Sequence, residues 1–267
     1  MTIGTMETST RGPDMTLNFH CTQCGECCRR FKLSLSVAEA RSWLADGNPV
    51  QVLCEAIPWP MEPPAEDPVA AYKRTRSFAA ASGVLPIRVL VTLVASLDKG
   101  CPNLTADNRC AIYERRPAVC RIYPAERNPF LELAPARRVC PADAWDASGP
   151  AFAADGGYAD PAVVESIRSA AAADVRDAAL KERLCAALGI GAAAMANEGY
   201  VMHAPDRERL REALEGATAP CGPVAWRFVS ERPATVEALR LVGAVAERAD
   251  DVPFRYLSLF PLQDKAA

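Results

Sequence analysis

Residues 84–97 read VLPIRVLVTLVASL, the most apolar stretch of a 267-residue chain. It contains Pro86 and Arg88 and is much shorter than the roughly 20 residues a membrane-crossing helix needs, so it reads as a buried helix or strand. Just upstream, residues 48–68 carry Pro49, Pro58, Pro60, Pro63, Pro64 and Pro68, a density that no regular element tolerates, and are expected to cross the surface as a loop. Before that loop Ser36 and Glu39 have the spacing of a capping box, which predicts a short helix over about 37–46 stopped by Gly47. A second helix is expected from about 68 to 81. Further along, Asp160-Pro161 opens an alanine-rich helix to about Leu188, ended by Gly189, and more helices are expected at about 205–215 and 235–249. The expected fold is mainly α with long irregular loops. It divides into a disordered N-terminal segment (1–17), a metal-stabilised cysteine-cluster domain (18–141), a linker (142–159) and a helical C-terminal region (160–267).

Half of the residues are hydrophobic and 24% are charged, as in an ordinary globular protein that can bury a full core without disulfide staples. The net charge of −3 includes no basic run, which argues against a nucleic-acid partner. The opening residues, MTIGTMETSTRGPDMTLNF, lack the charged leader and apolar run of a secretory signal, and no stretch suits a membrane span. A cytoplasmic location is therefore expected. In that reducing compartment clustered cysteines bind metal or react more often than they form structural disulfides, and an odd total of eleven fits this.

Eight of the cysteines fall into two sets. Residues 21–28, CTQCGECC, hold Cys21, Cys24, Cys27 and Cys28; the second set is Cys101, Cys110, Cys120 and Cys140. The C-x2-C spacing brings two sulfurs round one tight turn to a single cation, with Gly25 allowing the turn. Neighbouring side chains of an extended segment point to opposite sides, so Cys27 and Cys28 are expected to diverge and the first set to recruit sulfurs from the second. Two chemistries suit the thiolates. Zinc would tie down the fold, whereas an iron–sulfur cluster (4Fe-4S) is suggested by Cys21, Cys24 and Cys27, which reproduce the first three ligands of a bacterial ferredoxin run; Cys101 and Cys140 are each followed by proline, as the last ligand of such a run is. The run continues with Phe31 where a ferredoxin has cysteine. Pro117 could open a helical turn that places Cys120 near a helix N-terminus. Thiolate charge needs compensation, and Arg29, Arg30, Arg109, Arg115, Arg116 and Arg121 flank the cysteines. Of these Arg29, Arg30, Arg115, Arg116 and Arg121 are the candidates to face the centre, Arg121 first among them.

Outside the two sets, Cys54 and Cys185 read as small buried residues, and Cys221, in a Pro-Cys-Gly-Pro loop, as a candidate reactive thiol or spare ligand. His20 could ligate or tune the centre from beside Cys21. His203 has no partner base or nucleophile in sequence, and no phosphate loop or G-x-S-x-G occurs.

The phrases CTQCGECC, CPNL, RCAIYERRP and CRIYP occur in the order and spacing of the YkgJ-like cysteine-cluster family, which residues 18–141 resemble. The resemblance implies a zinc- or iron-chelating domain with these eight cysteines as the ligand candidates. The same domain class includes flagellin lysine N-methylases, which implies a possible S-adenosylmethionine-dependent transfer to protein lysines; this chain is shorter and has CRIYPAE where they tend to end in Tyr-Pro-Arg. The expected function is binding of iron or zinc by the cysteine cluster, in service of redox or protein- or peptide-modifying chemistry with a protein or peptide partner. The alternative is a non-enzymatic module in which zinc fixes the fold or metal is handed on.

Overall fold

A computed structural model describes residues 16–96, 100–154, 156–216 and 224–259. Cys221, the candidate reactive thiol or spare ligand, and most of the expected N-terminal segment lie outside them. The strands are β1 (Leu17–Asn18), β2 (Leu33–Leu35), β3 (Val50–Pro58), β4 (Phe78–Ser82), β5 (Leu85–Ala95), β6 (Ala151–Ala154), β7 (Gly157–Tyr158), β8 (Ala192–Met195), β9 (Gly199–His203), β10 (Arg227–Ser230), β11 (Ala246–Arg248) and β12 (Arg255–Ser258). The helices are α1 (Glu26–Arg30), α2 (Val37–Ala45), α3 (Pro68–Thr75), α4 (Ala118–Ile122), α5 (Pro161–Leu188), α6 (Arg207–Glu215) and α7 (Pro233–Leu241).

Nine of these strands form one mixed sheet in the order β11-β10-β8-β3-β5-β2, with β4 added to β5, β9 to β3 and β12 to β9. The pairs β11–β10, β10–β8 and β8–β3 are parallel and the others antiparallel. This sheet overturns the mainly α expectation: the architecture is α/β. Two misread segments explain the difference. In residues 48–68 the prolines crowd beyond Ile57, and VQVLCEAI ahead of them pairs along its whole length with β5. The loop expected there is mostly the central strand β3. Of the apolar stretch that begins at Val84, Leu85–Ala95 form a strand because Leu85, Ile87, Val89, Val91 and Leu93 alternate into the core, a period of two that only a strand can bury on one face. Pro86 is tolerated because it lies just past the end of the β3 pairing, where its missing N–H breaks no ladder bond on that side.

Two expected helices are also shortened by strands. Helix α3 stops at Thr75 and the chain becomes β4, while α7 stops at Leu241 and becomes β11. The β4–β5 turn depends on Gly83, with φ of 57°; a Cβ there would fall 2.2 Å from the Gly243 carbonyl oxygen.

The helices whose ends carry capping chemistry agree with expectation. Helix α2 has Ser36 and Glu39 in a complete capping box, and α5 runs from an Asp160 cap to a left-handed Gly189. Leu184 and Cys185 of α5, Leu210 and Leu214 of α6 and Trp43 and Leu44 of α2 share one core with Val52, Cys54, Val89 and Leu93 of the sheet. Residues 142–159 contain β6 and β7, which join β1 in a separate three-stranded sheet. No helix among the described residues is long and apolar enough to cross a membrane.

His203 is buried on β9 with its Nε2 3.0 Å from the Ala192 carbonyl oxygen, and burial holds its pKa below the ordinary value. The neutral ring is the form that packs. Its contribution to stability is complete above the unfolded value of about 6.5 and is lost as pH falls from there toward the lower folded value. Urea midpoints of the parent and of His203→Gln should therefore converge between neutral pH and pH 5.

Candidate metal centre

All eight cysteines of the two sets line a single cavity of about 410 Å³. Local chain geometry brings them there. Gly25, at φ 75°, turns the chain sharply after Cys24 and starts α1, where the Arg29 guanidinium stands 2.7 Å from the place a Cβ would occupy. Because Cys27 and Cys28 sit on this short helix and not on an extended strand, successive side chains differ by about 100° of rotation and both reach the same wall. Their sulfurs are 4.0 Å apart, which corrects the expectation that they diverge.

The second set is drawn in through the backbone. The Cys101 N–H donates to the Cys28 carbonyl at 2.8 Å, and a bridge between Leu104 and Cys110, backed by Ala111 N–H to the Asn103 carbonyl at 2.8 Å, folds the loop so that Cys101 and Cys110 meet the cavity together. Cys120 is the third residue of α4, with Pro117 as the extended residue just before the helix. That helix is held by Glu39. One Glu39 carboxylate oxygen accepts the Ser36 N–H and hydroxyl at 2.8 Å in the capping box of α2, and the other accepts the Ala118 N–H at 2.6 Å at the start of α4. Cys140 follows a 3-10 turn (Pro135–Arg137), and the Val139 N–H next to it donates to the Tyr123 hydroxyl at 3.0 Å.

Glu39 thus ties a core helix to a cavity-lining one. Glu39→Ala should cost about 1–2 kcal/mol through the lost cap and the orphaned Ala118 N–H. Glu39→Gln should recover most of it, since the amide oxygen can still accept. Chemical unfolding of both variants, with alkylation rates at Cys120, measures this; equal unfolding of parent and Glu39→Ala would remove Glu39 from this role.

Burial dominates the protonation of Cys101, Cys120 and Cys140. It pushes Cys120 up to about 12 and raises Cys101 and Cys140. Cys28 is raised mainly by its bond to Cys27, and the same bond, with smaller help from the Arg116 charge, brings Cys27 down to about 7. A buried thiol of this kind ionises when a cation takes over the stabilisation that water no longer supplies, so metal uptake would expel protons. Soft sulfur donors in such number suit zinc or iron, and the donor set fits either. Among the described residues, no three His, Cys, Asp or Glu side chains converge tightly enough to enclose a single ion. The thiols ring a space larger than one ion.

The arginines divide. Arg116 lines the cavity, stacks 3.8 Å over the Tyr113 ring, and has a buried Nε with no hydrogen-bond partner. Arg29 spans the two cysteine sets, donating to the Cys24 carbonyl at 2.9 Å and to the Asn108 side chain. Arg30 turns out to Glu26 and Arg115 to Asp46, both largely exposed, while Arg109 pairs with Asp107 on the surface. Arg121, the first candidate from sequence, instead braces the turn before α4 through the Arg116 and Glu114 carbonyls at 3.1 and 2.8 Å. Sequence reasoning missed Arg127 and Arg138, which line the cavity paired to Asp174 and Glu126, and Tyr123. The adjacency of Arg138 to Val139-Cys140 was the available signal.

His20 is exposed beside Asp146 and Gly149 and is not part of the cavity wall. Cys54 and Cys185 are fully buried together in the main core.

No curated protein and no solved structure matches this chain. A family model does: residues 20–141 match "CxxCxxCC: Putative zinc- or iron-chelating domain", a span that starts beside Cys21 and ends just past Cys140. With that match and the eight thiols about one cavity, residues 20–141, a little under half of the chain, are similar to that domain family.

Proposed function

We propose that the cavity holds a polynuclear centre, an iron–sulfur cluster, and that the protein uses it in the cytoplasm for redox or peptide-modifying chemistry. The observation that carries this reading is the arrangement of the thiols. Eight line a space of about 410 Å³ and no three of them close on a point, whereas a lone zinc ion needs four sulfurs at about 2.3 Å from one centre. Cluster ligands stand wider because the iron and sulfide between them take up room. The charge of such a centre finds Arg116 at hand, with an unpartnered Nε–H to offer. Cys21 is exposed, which supports access for a partner molecule from that side.

Anaerobic purification tests the proposal. Broad absorption near about 400 nm with matching iron and sulfide is expected. A colourless protein loaded with zinc would reject the cluster and leave a zinc-stabilised module; a protein that takes up neither metal would reject both.

A further inference from the structure

The cavity has more wall than the thiols supply. Its sulfur-free lining is mostly apolar, with Phe31, Leu33, Trp43 and Ile122 in it, and Arg127 and Arg138 are set among them. Local bonds keep these two arginines together. Arg138 pairs with Glu126, the residue before Arg127, and the Glu126 N–H donates to the Tyr158 hydroxyl at 2.6 Å. Arg127 shares its partner: it and Arg76 meet the same Asp174 carboxylate oxygen, Arg76 at 2.9 Å. Two guanidinium groups on one carboxylate leave a positive charge over at this corner, and Lys181 and Asp177, the next charges along α5, offset each other.

Neither arginine is saturated. The Nε of Arg127 and that of Arg138 are buried without a partner among the described residues, as are Arg116 Nε and Trp43 Nε1, and all four belong to residues that line the cavity. All four are donors. Trp43 is only 4% exposed, so its N–H has no bulk water to turn to. Buried donors left without partners are costly, and several of them around one space suit an acceptor-rich, negatively charged occupant. A carboxylate matches the planar guanidinium fork and carries the single charge that this corner lacks. The apolar lining in turn suits a hydrocarbon body, in a cavity whose volume of about 410 Å³ is that of a small-molecule site. We infer that, beside the thiolate centre, the cavity takes a small organic carboxylate with an apolar body, bound through Arg127 and Arg138. That this ligand is the centre's substrate rests on the function proposed above; its binding does not depend on which metal is present.

Equilibrium dialysis of the full chain, as purified with its metal, tests this with benzoate as the probe and benzyl alcohol and inorganic phosphate beside it. Benzoate should bind saturably and about 10-fold or more tighter than benzyl alcohol, which has the same body without the charge. Arg127→Gln should weaken benzoate by about 10-fold at unchanged metal content, and Arg127→Lys should recover part of the loss. Arg76 still faces Asp174 in both variants, so that carboxylate keeps a partner. Arg109→Gln, on the surface, should bind benzoate as the parent does. No saturable benzoate binding, equal binding of the alcohol, tighter binding of phosphate, or parent-like binding by Arg127→Gln each overturns the inference. Loss of metal from Arg127→Gln also overturns it, because the arginine would then serve the centre and not a ligand. A parent that binds benzoate and no metal would overturn the functional reading and keep the carboxylate site.

Discussion

Replacing Cys120 with serine should strip metal from its centre and loosen the 101–140 segment in the same step. A hydroxyl is a poor substitute for a soft thiolate, and loss of a direct ligand should weaken metal binding by more than the roughly 10- to 100-fold that outer contacts command. Between Cys101 and Cys140 the regular structure is α4 and two 3-10 turns, so beyond the burial of Ile112 and Ile122 and the Glu39 and Arg127 contacts the segment is shaped by its ligands. Where structure is supplied by metal, binding free energy is folding free energy. Cys185→Ala is the contrast. Cys185 of α5 is fully buried in the main core with Cys54 of β3 and does not line the cavity, and its truncation should cost about 1 kcal/mol of packing with full metal occupancy. Metal content and thermal unfolding of the two variants beside the parent decide the matter. Unchanged metal and melting in Cys120→Ser would make these sulfurs free thiols.

Asp177→Ala should destabilise the whole chain by about 3 kcal/mol. Asp177 lies in the middle of α5 with 6% of its surface exposed, and its carboxylate accepts the Val37 N–H at 2.7 Å. That N–H belongs to the first residue of α2 and has no water to turn to, since Val37 is 2% exposed. The same carboxylate helps to keep Lys181 charged one turn along α5, against a burial that pulls the Lys181 pKa down. Alanine removes both services at once. Asp177→Asn should lose less, because the amide oxygen still accepts from Val37 while the charge is gone. Urea midpoints that rank parent, Asn and Ala in that order support the account; equal midpoints for Asn and Ala would assign the whole effect to charge. The contact also bears on the metal site, because α2 in turn holds α4 through Glu39.

The helices were legible where local chemistry defines them. Ser36 with Glu39, Asp160 with Pro161 and Gly189 each settle a helix end within a few residues of chain, and the structure places those ends within a residue of expectation. Strands were not legible in the same way. The prolines that follow residues 50–57 mask the strand there, and the apolar stretch around β5 suits a buried helix or strand alike unless the alternation from Leu85 to Leu93 is weighed. A strand is stabilised by partners distant in sequence, here β5, β8 and β9 around β3, and a short window contains none of them.

The cysteine motifs were enough by themselves to bring out the eight thiols and the likeness to the family, because C-x2-C spacing and the C-C pair encode ligand chemistry in the covalent order of the chain. Only the tertiary structure decided how those thiols meet. It put Cys27 and Cys28 on one wall by coiling them into α1, brought Cys101 to Cys28 through a backbone hydrogen bond, and turned Arg116 toward the sulfurs while Arg121 went to the carbonyls of the preceding turn. Residue type and spacing state which atoms can bind a metal; the direction in which each side chain points follows from backbone conformation and from neighbours far along the chain.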